Sequence, residues 1–351
     1  MISGRTLLKE MAAQTWEGLG MPGRYRRCAK GAVRILTYHR FGMGFRRDFA
    51  GCLDIARFRE HLDVLERGYA VVPLEAAIAL SQSGRGLEAS GKPPVSITVD
   101  DGFEDNYELA FPELRRRGLS ATFFVVARFI ECGEVPWPSR LRAIIAALEK
   151  LDLGKGQSLS VSNSEEEQAA GTMLFERLKA TDPEDRLAFL DGLERRNDLA
   201  EVRSRLRPMT RVQLREMAAA GMEIGSHTMH HSVLSAVRPE IRGAEIVNSR
   251  DAIAKMTGRR CRFLAYPDGK ANREVAAMVR TSGYEAAVTQ EWGLNLGSPD
   301  PFLLQRIEVP YYETAAVYSA RVAGLLRPWG RRSDREEGAA SSEPGAPAAR
   351  W

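Results

Sequence analysis

The 351-residue chain is poor in cysteine (4) and histidine (5), and it has no long apolar run. Cys28, Cys52, Cys132 and Cys261 lie far apart with neither CxxC nor CxH spacing, which excludes a zinc knuckle or dithiol redox motif and leaves free thiols. No stretch approaches the ~20 apolar residues of a membrane-spanning helix. Within residues 1–30, Lys9, Glu10, Glu17, Arg24, Arg26 and Arg27 interrupt any apolar core of signal-peptide length. A strong charge of one sign is missing too. The net charge is +4, and no basic stripe with interleaved aromatics recurs, so nucleic-acid binding is not expected. A cytoplasmic location is the simplest expectation.

The basic charge that exists is local: residues 1–40 hold eight Lys/Arg against two Glu, leaving the remainder slightly acidic. Residues 1–30 form a basic N-terminal segment in which Leu7, Leu8, Met11 and Trp16 suit a weak amphipathic helix. A solvated end is expected there, with peripheral contact to the inner membrane as the alternative. At the other end, residues 331–351 are Gly, Ala, Ser, Pro and charge, a composition expected to stay disordered.

Between the ends the chain is well supplied with apolar residues, 44% overall, enough for a sizeable core. β-rich runs alternate with helical patterns stopped by glycine. Strands are predicted at 33–38, 69–72, 95–99, 121–126, 222–225, 261–266, 284–289 and 304–309. Helices are predicted at 55–67, 74–80, 104–117, 210–220, 239–256 and 274–282, the fourth opened by a Thr210/Gln213 capping box and stopped at Gly221. From 137 to 207 the pattern is charged amphipathic helix, broken by polar 154–164 and without a strand signal. It reads as a helical insertion of about 132–208. Roughly seven parallel strands with intervening helices predict an α/β fold, a barrel or partial barrel.

Two features carry chemistry. Asp100 and Asp101 close the run Ser96-Ile97-Thr98-Val99-Asp100-Asp101-Gly102, and His227-Thr228-Met229-His230-His231 opens a loop over a hundred residues later. Strand-end carboxylates stand at the rim of a parallel sheet, where α/β folds bind ligands, and two imidazoles four apart can grip one cation. Asp-Asp-Gly alone reads equally as an ordinary turn. Three of five histidines falling within five residues, however, is poorly explained by chance. One carboxylate and two neutral imidazoles suit a divalent metal, which lowers the pKa of a bound water towards ~7. The second carboxylate can accept the water proton. Neighbouring strand side chains point to opposite faces, and the Gly102 turn is expected to release that restraint.

Together with Phe263-Leu264-Ala265-Tyr266-Pro267-Asp268-Gly269, these strings resemble the polysaccharide deacetylase family (NodB homology, carbohydrate esterase family 4) in motif order and spacing. The resemblance covers about residues 31–315, a catalytic domain interrupted by the insertion and followed by a terminal helix or linker at 316–330. It implies a distorted (β/α) barrel of about seven strands. Residue by residue, it implies Asp100 as general base and Asp101, His227 and His231 as ligands of zinc or a similar divalent ion. His230 occupies a variable position and is expected at the surface or behind the ligands, while Ser226 and Thr228 are expected to orient the ligands.

Two departures from the family pattern stand out. Ala265-Tyr266-Pro267-Asp268 replaces the usual Arg-x-Pro-Tyr, so the arginine that orients the base is missing; Arg306 is the expected substitute and Arg40 the second choice. The backbone N–H of Asp268 matches the oxyanion donor. No histidine follows His231, whereas Leu36-Thr37-Tyr38-His39-Arg40 resembles the Tyr-His motif of exopolysaccharide-deacetylase branches, making His39 the expected acid, against a structural strand-end histidine. Trp292 reads as a sugar-site aromatic or a core one. The expected activity is metal-assisted removal of acetyl from N-acetylated sugars of a polysaccharide or lipid-linked saccharide. The alternatives are a non-sugar amide, an O-acetyl ester, or a degenerate glycan-binding protein.

Overall fold

The computed structural model describes residues 4–28, 31–43, 51–83, 91–199, 203 and 206–326. The segment read as a tail, 331–351, lies outside them. Strands in chain order are β1 (Arg34–Tyr38), β2 (Arg40–Gly42), β3 (Cys52–Asp54), β4 (Ala70–Val71), β5 (Pro94–Asp101), β6 (Thr122–Val125), β7 (Lys150–Gly154), β8 (Gln157–Ser160), β9 (Glu223–Ser226), β10 (Phe263–Ala265), β11 (Ala286–Trp292) and β12 (Leu304–Glu308). Seven of them close an all-parallel barrel in the order β1-β12-β11-β10-β9-β6-β5, with β5 returning to β1. β4 pairs with the start of β5, and β2 with β3.

Side-chain parity explains the closure. Leu36, Tyr38, Val95, Ile97, Val99, Phe123 and Ile307 join the large core beneath the surrounding helices. Ile35, Phe124, Phe263, Ala265, Ala286, Val288 and Leu304 form a second cluster, alternating with the first along the strands, and so fill the barrel interior. Both faces are apolar, as parallel strands covered by helices require. By the same alternation Thr98, Asp100 and Arg306 face inward.

Three expectations need correction. The insertion contains helices Trp137–Ala146, Ser164–Lys179 and Pro183–Arg196, but also an antiparallel hairpin, β7 with β8. Its turn, Gly154-Lys155-Gly156, has positive φ throughout (85°, 53°, 75°), and Leu151, Leu153 and Leu159 alternate towards the insertion's apolar core. Polar neighbours concealed that period of two. Second, the 104–117 helix opens as a π-helical turn, Asn106–Ala110, before helix Phe111–Arg116; Phe111 N–H reaches back to Asn106 O, ahead of Pro112, which has no N–H to donate. Third, helix Gly4–Gly18 does not stand off as a solvated end. Its Ala13 and Trp16 pack on Val317 and Ala320 of helix Ala315–Ala323, and Thr314 donates to Glu10. The capping box of helix Arg211–Ala219 is formed as expected.

Candidate active site

The motif residues converge at the C-terminal ends of the barrel strands. Asp100 and Asp101 end β5; His39 follows β1, the histidine loop follows β9, and Tyr266-Pro267-Asp268 follows β10. Asp100 faces inward by strand parity, which would turn Asp101 outward. The backbone breaks that alternation at Asp101 itself, with φ 80°, one residue before Gly102 at 90°. The release lies one residue earlier than the glycine suggested. Of the seven described non-glycine residues with positive φ, four are Asp101, Thr228, His231 and Asp268. Strain held in this way is typical of functional loops.

Donor atoms of Asp101, His227 and His231, all three buried, lie within 4.8 Å of one another. His227 Nδ1 is 2.8 Å from Ala265 O and donates to it, leaving the Nε2 lone pair to face Asp101 Oδ1 at 3.7 Å. His231 Nε2 is 3.5 Å from the same oxygen, which is buried and has no hydrogen-bond partner. Burial holds the His227 imidazole down to about 4, so it is neutral near pH 7. Burial raises the Asp101 carboxyl, but His231 and the other nearby imidazoles outweigh it and hold the group well below its ordinary range. One orphaned carboxylate oxygen and two imidazole nitrogens aimed at a shared point fit a divalent ion of the zinc type.

Asp100 stands beside this cluster, its Oδ2 4.0 Å from His227 Nε2. Arg306 Nη1 and Nη2 donate to its two oxygens at 2.9 and 2.8 Å. Burial acts to raise this carboxyl; Arg306 and then His227 prevail and lower it. Arg306 is itself braced by Thr289 O and Thr98 Oγ1. Arg40, the second choice, pairs with Asp105 at 3.0 Å instead and lies over the Phe103 ring.

His39 Nε2 is 3.4 Å from Gln290 Nε2, and its carbonyl accepts from Asn106 Nδ2 at 2.8 Å. Asp105 ties the same turn down through Arg40, Phe41 N–H and Asn106. Asp105, Asn106 and Gln290 escaped the sequence reading, although the first two follow Asp-Asp-Gly closely. Asp268 sits at φ 58°, and the next residue must be glycine: a Cβ on Gly269 would meet Gln290 N and Cα at 2.3 and 2.7 Å. Ser226 and Thr228, expected to orient the imidazoles, bond the loop main chain and neither ring directly. They hold the loop backbone, Ser226 Oγ accepting from Thr228 N–H while paired with Ser249 Oγ at 2.7 Å, and Thr228 Oγ1 accepting from Ser232 N–H. His230 Nδ1 pairs with Glu245 Oε1 at 2.6 Å, apart from the Asp101–His227–His231 cluster. Trp292, at the end of β11, is partly buried.

A helix-wrapped parallel barrel with carboxylates and imidazoles buried at the C-terminal rim of its strands is the framework of a barrel enzyme. The polysaccharide deacetylase family model matches residues 88–151 and 190–287, interrupted only within the insertion, and the chain belongs to that family. It is 22% identical over 295 residues to YxkH of Bacillus subtilis (strain 168), named as a polysaccharide deacetylase, covering 83% of this chain and 76% of that one. The Streptococcus pyogenes deacetylase PplD, solved in complex with acetate, has 18% identity and a TM-score of 0.57, over 86% of this chain and 100% of that one. IcaB from Ammonifex degensii has 19% identity and a TM-score of 0.54, over 84% and 96%. These two structures share the fold.

Proposed function

We propose that the protein hydrolyses the acetamido group of N-acetylated sugar residues in a polysaccharide or lipid-linked saccharide, with zinc or a similar divalent ion held by Asp101, His227 and His231. When bound, such an ion polarises the carbonyl and lowers the pKa of water. Asp100, kept ionised by Arg306, takes the proton of the attacking water. The Asp268 N–H donates to the oxygen on which negative charge develops. His39 gives a proton to the departing amine, so that one water and one amide yield acetate and a free amino sugar.

The observation that carries this assignment is the Asp100–Arg306 pair set against the Asp101–His227–His231 cluster: one carboxylate reserved for a cation and one kept available by an arginine. A glycan-binding protein without turnover needs no such division. The basic residues within 1–40 further suit action in the cytoplasm at the inner membrane surface, where such saccharides are built; release from membranes by salt is the corresponding check.

Metal analysis combined with acetate release from N-acetylglucosamine oligomers and a panel of acetylated glycans, products read by mass spectrometry, tests the proposal. Bound metal, acetate release and a product lighter by one acetyl are expected. Release only from O-acetyl esters would move the substrate class, and no release from any glycan would overturn the enzymatic assignment.

A further inference from the structure

We propose that Trp137, in the insertion, is a positioning residue for His231, which makes the insertion a working part of the metal site. The inference rests on Asp101, His227 and His231 being that site. Metal-binding imidazoles are ordinarily oriented by a hydrogen bond from the second ring nitrogen. His227 has one, to Ala265 O. His231 does not: its Nδ1 is buried without a partner. Its ring direction is therefore set by its main chain, which sits at φ 56°, a conformation that a residue with a Cβ keeps only when held there.

Trp137 does the holding. Its Nε1–H donates to the His231 carbonyl oxygen at 2.8 Å, in a buried bond between residues 94 apart in sequence. The indole is a single-donor group, so this bond uses its whole hydrogen-bonding capacity. The ring is immobilised in turn by stacking on Phe175, centroids 4.9 Å apart, and by the Arg186 guanidinium 5.0 Å above it. Arg186 Nη2 also donates to Ser232 Oγ at 3.0 Å, next to the ligand. Val233, further along the histidine loop, joins the insertion's apolar cluster with Trp137, Leu141 and Leu190.

The chain on either side of the insertion is stitched to site loops as well. Just before it Ala127 and Arg128 N–H donate to Thr228 O and Met229 O at 3.1 and 3.0 Å. At its close Glu104 N–H donates to Arg207 O at 2.9 Å and Met209 N–H to Gly102 O at 3.1 Å. A segment fastened to both ligand loops, and bonded to the main chain of one ligand, transmits its own rigidity to the donor geometry.

The test uses the full-length, metal-stripped protein titrated with Zn2+ against a competing chelator, and with Co2+ while its absorption bands are recorded. Trp137→Phe keeps a stacking ring and removes the N–H; site-specific replacement by benzothienylalanine keeps the bicyclic shape and removes the same N–H, and decides the matter should Trp137→Phe fail to fold. Metal affinity about 10- to 100-fold weaker than wild type and altered Co2+ bands are expected, in variants whose metal-free form still unfolds cooperatively. Affinity within twofold of wild type in either folded variant overturns the role of Trp137. Absence of metal binding by the wild-type protein overturns the metal site itself, a result distinguishable from the other.

Discussion

Arg306, on β12, reaches past β1 to Asp100 on β5 and grips both carboxylate oxygens, and neither side chain has any exposure. Paired, charge-assisted hydrogen bonds of this kind fix a plane as well as a charge. The carboxylate is thereby held ionised where burial alone would neutralise it, with one face towards the neighbouring imidazole. Arg306, expected from the sequence as the substitute for a third-motif arginine, reaches Asp100 from another strand.

Arg306→Met leaves Asp100 buried without its counter-charge. A stability loss of about 3–5 kcal/mol is expected from breaking a buried pair on one side, together with at least a tenfold loss of acetate release. Arg306→Lys restores charge but not the two-pronged geometry, and falls between the two. Thermal unfolding and acetate release on the same preparations measure both; wild-type turnover in Arg306→Met would contradict the assignment.

The two adjacent aspartates should fail differently. Asp101→Ala is expected to lose metal and activity together, whereas Asp100→Asn keeps metal and loses turnover. Chelation of the wild-type protein should reproduce the first phenotype, and added Zn2+ should reverse it. Metal content and acetate release report the outcomes, and equal metal loss in both variants would refute the division of roles.

Gly269→Ala should damage the site without touching a ligand. The added Cβ would overlap the Gln290 backbone, and the Gln290 side chain is the neighbour of His39 Nε2. Displacement of the Asp268 loop, a stability loss of about 1–3 kcal/mol and more than tenfold slower acetate release are expected, with metal affinity preserved. Full activity in a folded Gly269→Ala protein would show that neither Asp268 nor His39 is held by this contact.

A pH dependence follows from His61, which is fully buried, stacked on Tyr318 with centroids 3.9 Å apart, and donates from Nε2 to Glu313 O. Burial pushes its imidazole down from 6.5 to about 4. A depressed folded value means that the neutral form is favoured in the native state. The stability it contributes is complete above pH 6.5 and is lost as pH falls through 4, about 3 kcal/mol in all. His61→Phe preserves the stacking and removes the titration, so its stability should fall by about that much less between pH 7 and pH 4. Denaturant unfolding across the range tests this, and parallel curves for the two proteins would exclude it.

Most barrel strands were legible because their apolar runs are short, β-branched and bounded by glycine, and the Thr210/Gln213 cap lies entirely within one local window. The hairpin β7–β8 was not, because its apolar residues are few and scattered among charged ones, and only the insertion's own core makes Leu151 an inward residue. The docking of Ala13 and Trp16 on the terminal helix was equally hidden: a weak amphipathic face does not say what will cover it.

By itself the sequence determined the chemistry of the site: which carboxylates and imidazoles are present, their order, and the strand ends that carry them. Those properties are local, set by residue type, alternation and turn preference. Tertiary structure alone decided which residues complete it. Arg306 meets Asp100 only because β12 and β5 flank β1 in a closed barrel, and Trp137 meets His231 only because the insertion folds back onto the histidine loop. Contacts between residues 206 and 94 positions apart leave no mark in a local pattern, since they depend on chain closure and on what burial forces together.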